Sequence, residues 1–94
     1  MVFIDGNHLE NHVYLDMEIW GKHLRKWGHM LMHDCLRGRQ IRRFTKRGKV
    51  DENGFIKSKR DGAHIHNAVL RFLRDYSNFE FLFQNKSIKV LRKK

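Results

Sequence analysis

The chain has 94 residues, 40% apolar and 32% charged, a balance that suits one folded domain spanning residues 1–94 and excludes both a disordered chain and a protein with two cores. Twenty Lys and Arg stand against ten Asp and Glu, a formal charge of +10, which points toward anionic partners. The single cysteine, Cys35, excludes an internal disulfide, and its place in an apolar pattern marks it as a small buried hydrophobe rather than a nucleophile.

Val2-Phe3-Ile4 is a short strand closed by the turn-forming Asp5-Gly6-Asn7. This apolar run is far too short for a signal peptide core or a membrane span, so a cytoplasmic protein with no membrane contact is expected. Beyond Asn11, a plausible N-cap, Val13, Met17, Trp20, Leu24, Trp27, Leu31 and Cys35 alternate at four and three residues. That spacing predicts one long amphipathic helix, with Asp16 and Glu18 toward its positive end and Arg37, before Gly38, at its negative end. Its face reads as core-facing, with a homodimer seam along Val13–Cys35 as the alternative. Gly21 and Gly28 interrupt it, so either something packs very close there or the helix breaks.

Two short strands are expected next, Gln40–Thr45 and Phe55–Ser58, joined through Gly48 and the turn Asp51-Glu52-Asn53-Gly54. Together they form a basic β-hairpin, although Ile41 and Phe44 fall on opposite faces of an ideal strand. A second helix starts at Asp61 as N-cap, carries Ile65, Val69, Phe72 and Tyr76 on its apolar face and ends near Asp75 or Tyr76. Phe79, Phe81 and Phe83, then Ile88 and Val90, alternate as a terminal hairpin. The expected fold class is thus α+β in the order β-α-β-β-α-β with an added strand. This is the order of a ferredoxin-like two-layer sandwich, helices on one face of an antiparallel sheet and the other face open.

The charge is concentrated. Residues 1–36 carry a net −2 and residues 61–94 a net +4, whereas residues 37–60 carry +8. In that central segment Arg37, Arg39, Arg42, Arg43, Lys46, Arg47, Lys49, Lys57, Lys59 and Arg60 oppose only Asp51 and Glu52. Ten cations so spaced can neutralise phosphates and release counterions without reading base sequence, and the arginine forks suit bidentate phosphate contacts. The preferred expectation is therefore a small, non-enzymatic nucleic-acid-binding protein, RNA or DNA, with these ten residues as its phosphate contacts. The alternative is a small regulator or inhibitor that docks the same basic face on an acidic protein partner.

Aromatic residues expected on strands could stack bases: Phe3, Phe44 and Phe55. Val2-Phe3-Ile4-Asp5-Gly6-Asn7-His8-Leu9 resembles the first-strand motif of RNA-recognition-motif domains. Asn53-Gly54-Phe55-Ile56 is similar to the third-strand motif of that family but lacks its second aromatic, and the first helix is longer than the family pattern.

Histidines His8 and His12, His29 and His33 are spaced i, i+4, and His64 and His66 form a His-x-His at the second helix start. A third reading, a metal-dependent nuclease, would use His64 and His66 with Asp61 nearby. Without a cysteine pair, a carboxylate cluster or a Gly-rich phosphate loop, the expectation is no cofactor, no metal and no catalytic residue.

Overall fold

The computed structural model describes residues 1–4 and 9–94; the Asp5–His8 part of the motif resembling RNA-recognition domains, and with it the His8 and His12 pair, lies outside them. The elements are β1 (Val2–Ile4), α1 (Glu10–His23), β2 (His29–Met32), α2 (Gly38–Lys46), α3 (Asp61–Asp75), β3 (Phe79–Asn85) and β4 (Ile88–Lys93). An α+β domain results, but its order departs from the ferredoxin-like one in the middle third of the chain.

The first departure is the long helix. Helix α1 has Leu9, not Asn11, at its N-cap and ends at His23; Trp27 has φ 70°, and His29–Met32 is a strand that pairs in parallel with β1 and antiparallel with β4. A run such as Met30-Leu31-Met32 fits a helix or a buried strand equally well from spacing alone. Pairing on both edges, available only in the folded chain, decides for the strand. The continuous Val13–Cys35 seam therefore does not exist. Both expectations for the glycines are met, at different positions. A Cβ on Gly21 would lie 3.2 Å from the Phe79 ring and 3.3 Å from Phe72, whereas Gly28 sits past the break, where a Cβ would fall 2.8 Å from the Arg25 carbonyl oxygen.

The second departure is the basic hairpin. Gln40–Thr45 lies within helix α2, and only Val50 and Ile56 form an isolated antiparallel bridge. Arg, Gln and Lys are good helix formers, and Ile41 and Phe44 at i, i+3 share a helical face that they could not share on a strand. Beyond Arg47 the chain turns at Gly48, φ 70°. There the Gly48 N–H donates to the Thr45 carbonyl and the Lys49 N–H to the Phe44 carbonyl, the two bonds of a Schellman stop. The expected turn at Asp51–Gly54 is present: Asp51 Oδ1 accepts from the Asn53 and Phe55 N–H groups, and Gly54 has φ 89°.

The sheet order is β1-β2-β4-β3. Ile4, Met30, Met32, Leu91 and Phe79 join Val13, Met17 and Leu24 of the α1 side and Ile65, Ala68, Val69 and Phe72 of α3 in one core. Both helices thus cover one face of the sheet. Tyr14 of α1 donates to Asp75 of α3 at 2.6 Å, Tyr76 to Glu18, and Arg71 to Glu10 at 2.9 Å. A smaller cluster, Leu36, Phe44, Ile56 and Ala63 with Ile41 and Val50 against it, seats α2 beside the start of α3. Among the described residues no helix is long and apolar enough to cross a membrane.

Candidate functional site

Helix α2 arranges its charges by its period. Arg39, Arg42, Arg43, Lys46 and Arg47 fall at i, i+3, i+4, i+7 and i+8, within an arc of about 140° at 3.6 residues per turn. Phe44 and Ile41 face away into the smaller core. The helix is held to the domain by its apolar side, so the opposite, cationic side is turned to solvent. Of the remaining expected contacts, Arg37 is the N-cap of α2, where its N–H donates to Gln40 Oε1 at 2.8 Å. Lys49 and Lys57 are brought together by the hydrogen bond from the Lys57 N–H to the Lys49 carbonyl at 2.8 Å. Lys59 follows, and Arg60 is the N-cap of α3, one residue before the expected Asp61.

All ten of these cations are exposed. None forms an ion pair among the described residues, whereas Glu10, Asp75 and Glu80 bind Arg71, Arg74 and Arg92 outside the patch. The patch is self-repelling: five like-charge pairs at i, i+3 or i, i+4 within Arg39–Arg47 cost α2 about 1–2.5 kcal/mol at the usual value per pair. An anion laid along the face would relieve that repulsion.

Between α2 and the segment entering α3 lies a recess of about 310 Å³, lined by Gln40, Arg43, Phe44, Arg47, Ser58 and Arg60. Three arginines, a glutamine and a serine line it with Phe44, and no acidic residue does. Gln40 and Arg60 also line a neighbouring hollow of about 420 Å³ that adds Asp34, Arg37 and Asp61. Gln40 and Ser58 are absent from the sequence-based set because neither is charged. The signal for Gln40 was its position three before Arg43 and seven before Arg47, one helical face; nothing in the sequence pairs Ser58 with α2.

The aromatic and histidine candidates are engaged elsewhere. Phe44 is buried, and Phe55 is half-buried in the segment before α3, with the Arg74 guanidinium 5.8 Å from its ring centre. Asn53–Ile56 is therefore not a sheet strand displaying an aromatic. His64 Nδ1 accepts the Glu10 N–H at 3.2 Å. His66 is buried, its Nε2 3.0 Å from the Gly54 carbonyl, and burial holds its pKa below the ordinary value. His29 is on β2 opposite Arg92, while His33 Nδ1 is 2.9 Å from the Asp34 carboxylate, so these two do not share a helical face. Among the described residues no group of three or more His, Cys, Asp or Glu could hold a metal ion.

Trp20 and Trp27, expected in the helix stripe, are about half-exposed, at 49% and 55%. They line a hollow with Met1, Val2 and Leu24, away from the residues of α2. No family model, curated protein or solved structure matches the chain.

Proposed function

We propose that the chain is a non-enzymatic nucleic-acid-binding module that lays the cationic face of α2 and the 47–60 segment along a phosphate backbone. The observation that carries the reading is the state of the ten cations: all are exposed and without ion pairs among the described residues, and five of them, Arg39 to Arg47, are ordered by a helix whose other side is anchored in a core. A charged face used only for solubility needs neither that order nor arginine in preference to lysine, and arginine predominates on α2. The contacts are electrostatic and set position, not base sequence.

The test is fluorescence anisotropy with labelled single- and double-stranded RNA and DNA, at low and near-physiological salt, on the protein and on Arg42→Glu/Arg43→Glu/Arg47→Glu. The expected result is binding that persists near physiological salt and is lost in a variant with unchanged circular dichroism. Neutralising the same three residues to Gln should make the dependence of log K on log salt shallower by about three. Unchanged affinity in the folded triple variant overturns the reading. Weak, indiscriminate binding that salt abolishes overturns it too and directs the search to an acidic protein partner, identified by a stoichiometric complex that nuclease treatment leaves intact.

A further inference from the structure

We infer that the recess between α2 and the segment entering α3 is a receptor for a phosphomonoester, the terminal phosphate of a nucleic-acid strand, and so does a different job from the open face beside it. In this strand-end form the inference rests on the nucleic-acid reading above. Arg43 and Arg47 reach the recess from α2, and Arg60 from the N-cap of α3. Cations from two elements thus converge on one volume. Gln40 adds an amide and Ser58 a hydroxyl, so neutral donors sit among the guanidiniums.

The ligand class follows from charge, from shape and from what the neighbouring hollow contains. A backbone diester carries one negative charge, whereas a phosphomonoester carries about −1.5 to −2 near neutrality and three acceptor oxygens. Three converging guanidiniums match the monoester better. A volume of about 310 Å³ is at the small end of ligand pockets, suited to a phosphate and part of its sugar rather than to a duplex groove. A strand end can enter such a recess and stop, while an internal phosphate must bring chain in and take it out again. The neighbouring hollow sets two acidic residues, Asp34 and Asp61, beside two arginines, Arg37 and Arg60, and so lacks the recess's excess of cations. The recess has no acidic residue, so the phosphate is assigned to it. From there the following diesters would run onto Arg39, Arg42 and Lys46, which do not line it.

The experiment compares one single-stranded oligonucleotide sequence with a 5′-phosphate, a 3′-phosphate or hydroxyl ends, at near-physiological salt. The protein and Arg43→Gln/Arg60→Gln are tested in parallel, and a nucleoside monophosphate is titrated separately. The expected result is a preference of about tenfold for one phosphorylated end, the worth of a lost charge-assisted contact or more. That preference should be erased in the double variant, whose binding of the hydroxyl-ended strand also weakens, because Arg43 and Arg60 belong to the cationic face as well, but by less than its binding of the phosphorylated strand. Arg39→Gln/Lys46→Gln should do the opposite, weakening all three strands alike and keeping the preference. Strands bound equally whatever their ends, or a preference that survives Arg43→Gln/Arg60→Gln, overturn the inference and leave the nucleic-acid reading standing. No binding of any strand overturns that reading and the strand-end form together; saturable nucleoside monophosphate binding, lost in Arg43→Gln/Arg60→Gln, would then identify a free phosphomonoester as the ligand.

Discussion

Two side chains of α3 show how local chemistry holds the segment that leads to the recess. Asn67 is buried and grips Ile56 by both backbone groups: its Oδ1 accepts the Ile56 N–H and its Nδ2 donates to the Ile56 carbonyl, each at 2.8 Å. A side-chain amide here completes the pairing that a neighbouring strand would otherwise supply. Next to it, the His66 Nε2–H donates to the Gly54 carbonyl, while its Nδ1 is buried without a partner among the described residues. Burial chiefly, and the Lys89 ammonium in addition, disfavour the charged ring, against the pull of the Gly54 carbonyl. The unfolded chain therefore takes up the proton at higher pH than the folded one. The contribution of His66 to stability is full above the unfolded value of 6.5 and is lost as pH falls below it, until the folded value is reached. Urea midpoints measured at about pH 7.5 and 5.5 should fall on acidification, and fall less in His66→Gln, which can still donate to Gly54 but cannot charge. Cys35 gives a second expectation at this scale. Its Sγ lies 3.4 Å from the Met32 carbonyl, and burial pushes the thiol up to about 11. Alkylation at neutral pH should be slow in the native protein and become fast only in denaturant.

At the scale of the element, α2 is a helix that opposes its own charges and is sustained by its ends and its apolar side. Its two glycines act differently. Gly48 closes the helix with φ 70°, while Gly38 opens it with ordinary dihedrals, and a Cβ at either position would meet nothing within 4 Å. Space is equal, so backbone conformation decides the sign. Gly48→Ala should cost about 1 kcal/mol or more, because a side chain is strained in the left-handed region. Gly38→Ala should be neutral or stabilising by about 0.5 kcal/mol, through a less flexible unfolded chain. Chemical denaturation of both variants checks the pair. This element was also legible in principle. The spacing of Arg39, Arg42, Arg43, Lys46 and Arg47 is a helical period written in charge instead of hydrophobicity, and Arg47-Gly48 is a helix stop. A search for apolar alternation sees only Ile41 and Phe44, too few to choose between helix and strand. At His29–Met32 the reverse holds: apolar residues are plentiful and compatible with both.

For the whole molecule, the consequence is a large core beside a smaller one, and the smaller one carries the charged helix. The large core joins α1 and α3 to the sheet, while α2 packs through Phe44 and Ile41 on Leu36, Val50, Ile56 and Ala63. Phe44→Ala should cost about 3 kcal/mol or more, a large share of the about 5–15 kcal/mol of a domain. Because Phe44 lies in the smaller cluster, the loss should appear first as local opening. Hydrogen exchange should accelerate across Gly38–Lys46 while the α3 and β4 amides stay protected. On the proposed nucleic-acid reading, affinity should weaken in the same variant although every cation remains, since the charges would no longer share one fixed face. Equal acceleration throughout the chain would show instead that the two cores unfold as one.

The sequence by itself determined the first strand, the second long helix, the terminal hairpin, the Asp51–Gly54 turn and the identity of the cationic segment. Each of these rests on local periodicity, turn chemistry or charge, all properties of neighbouring residues. Only the tertiary structure decided that residues 24–35 leave the helix and that His29–Met32 pairs between β1 and β4. It also decided that Ser58 and Arg60 meet Gln40, Arg43 and Arg47 around one recess. Those outcomes depend on which backbone groups and apolar faces find partners far along the chain, and no local pattern encodes that choice.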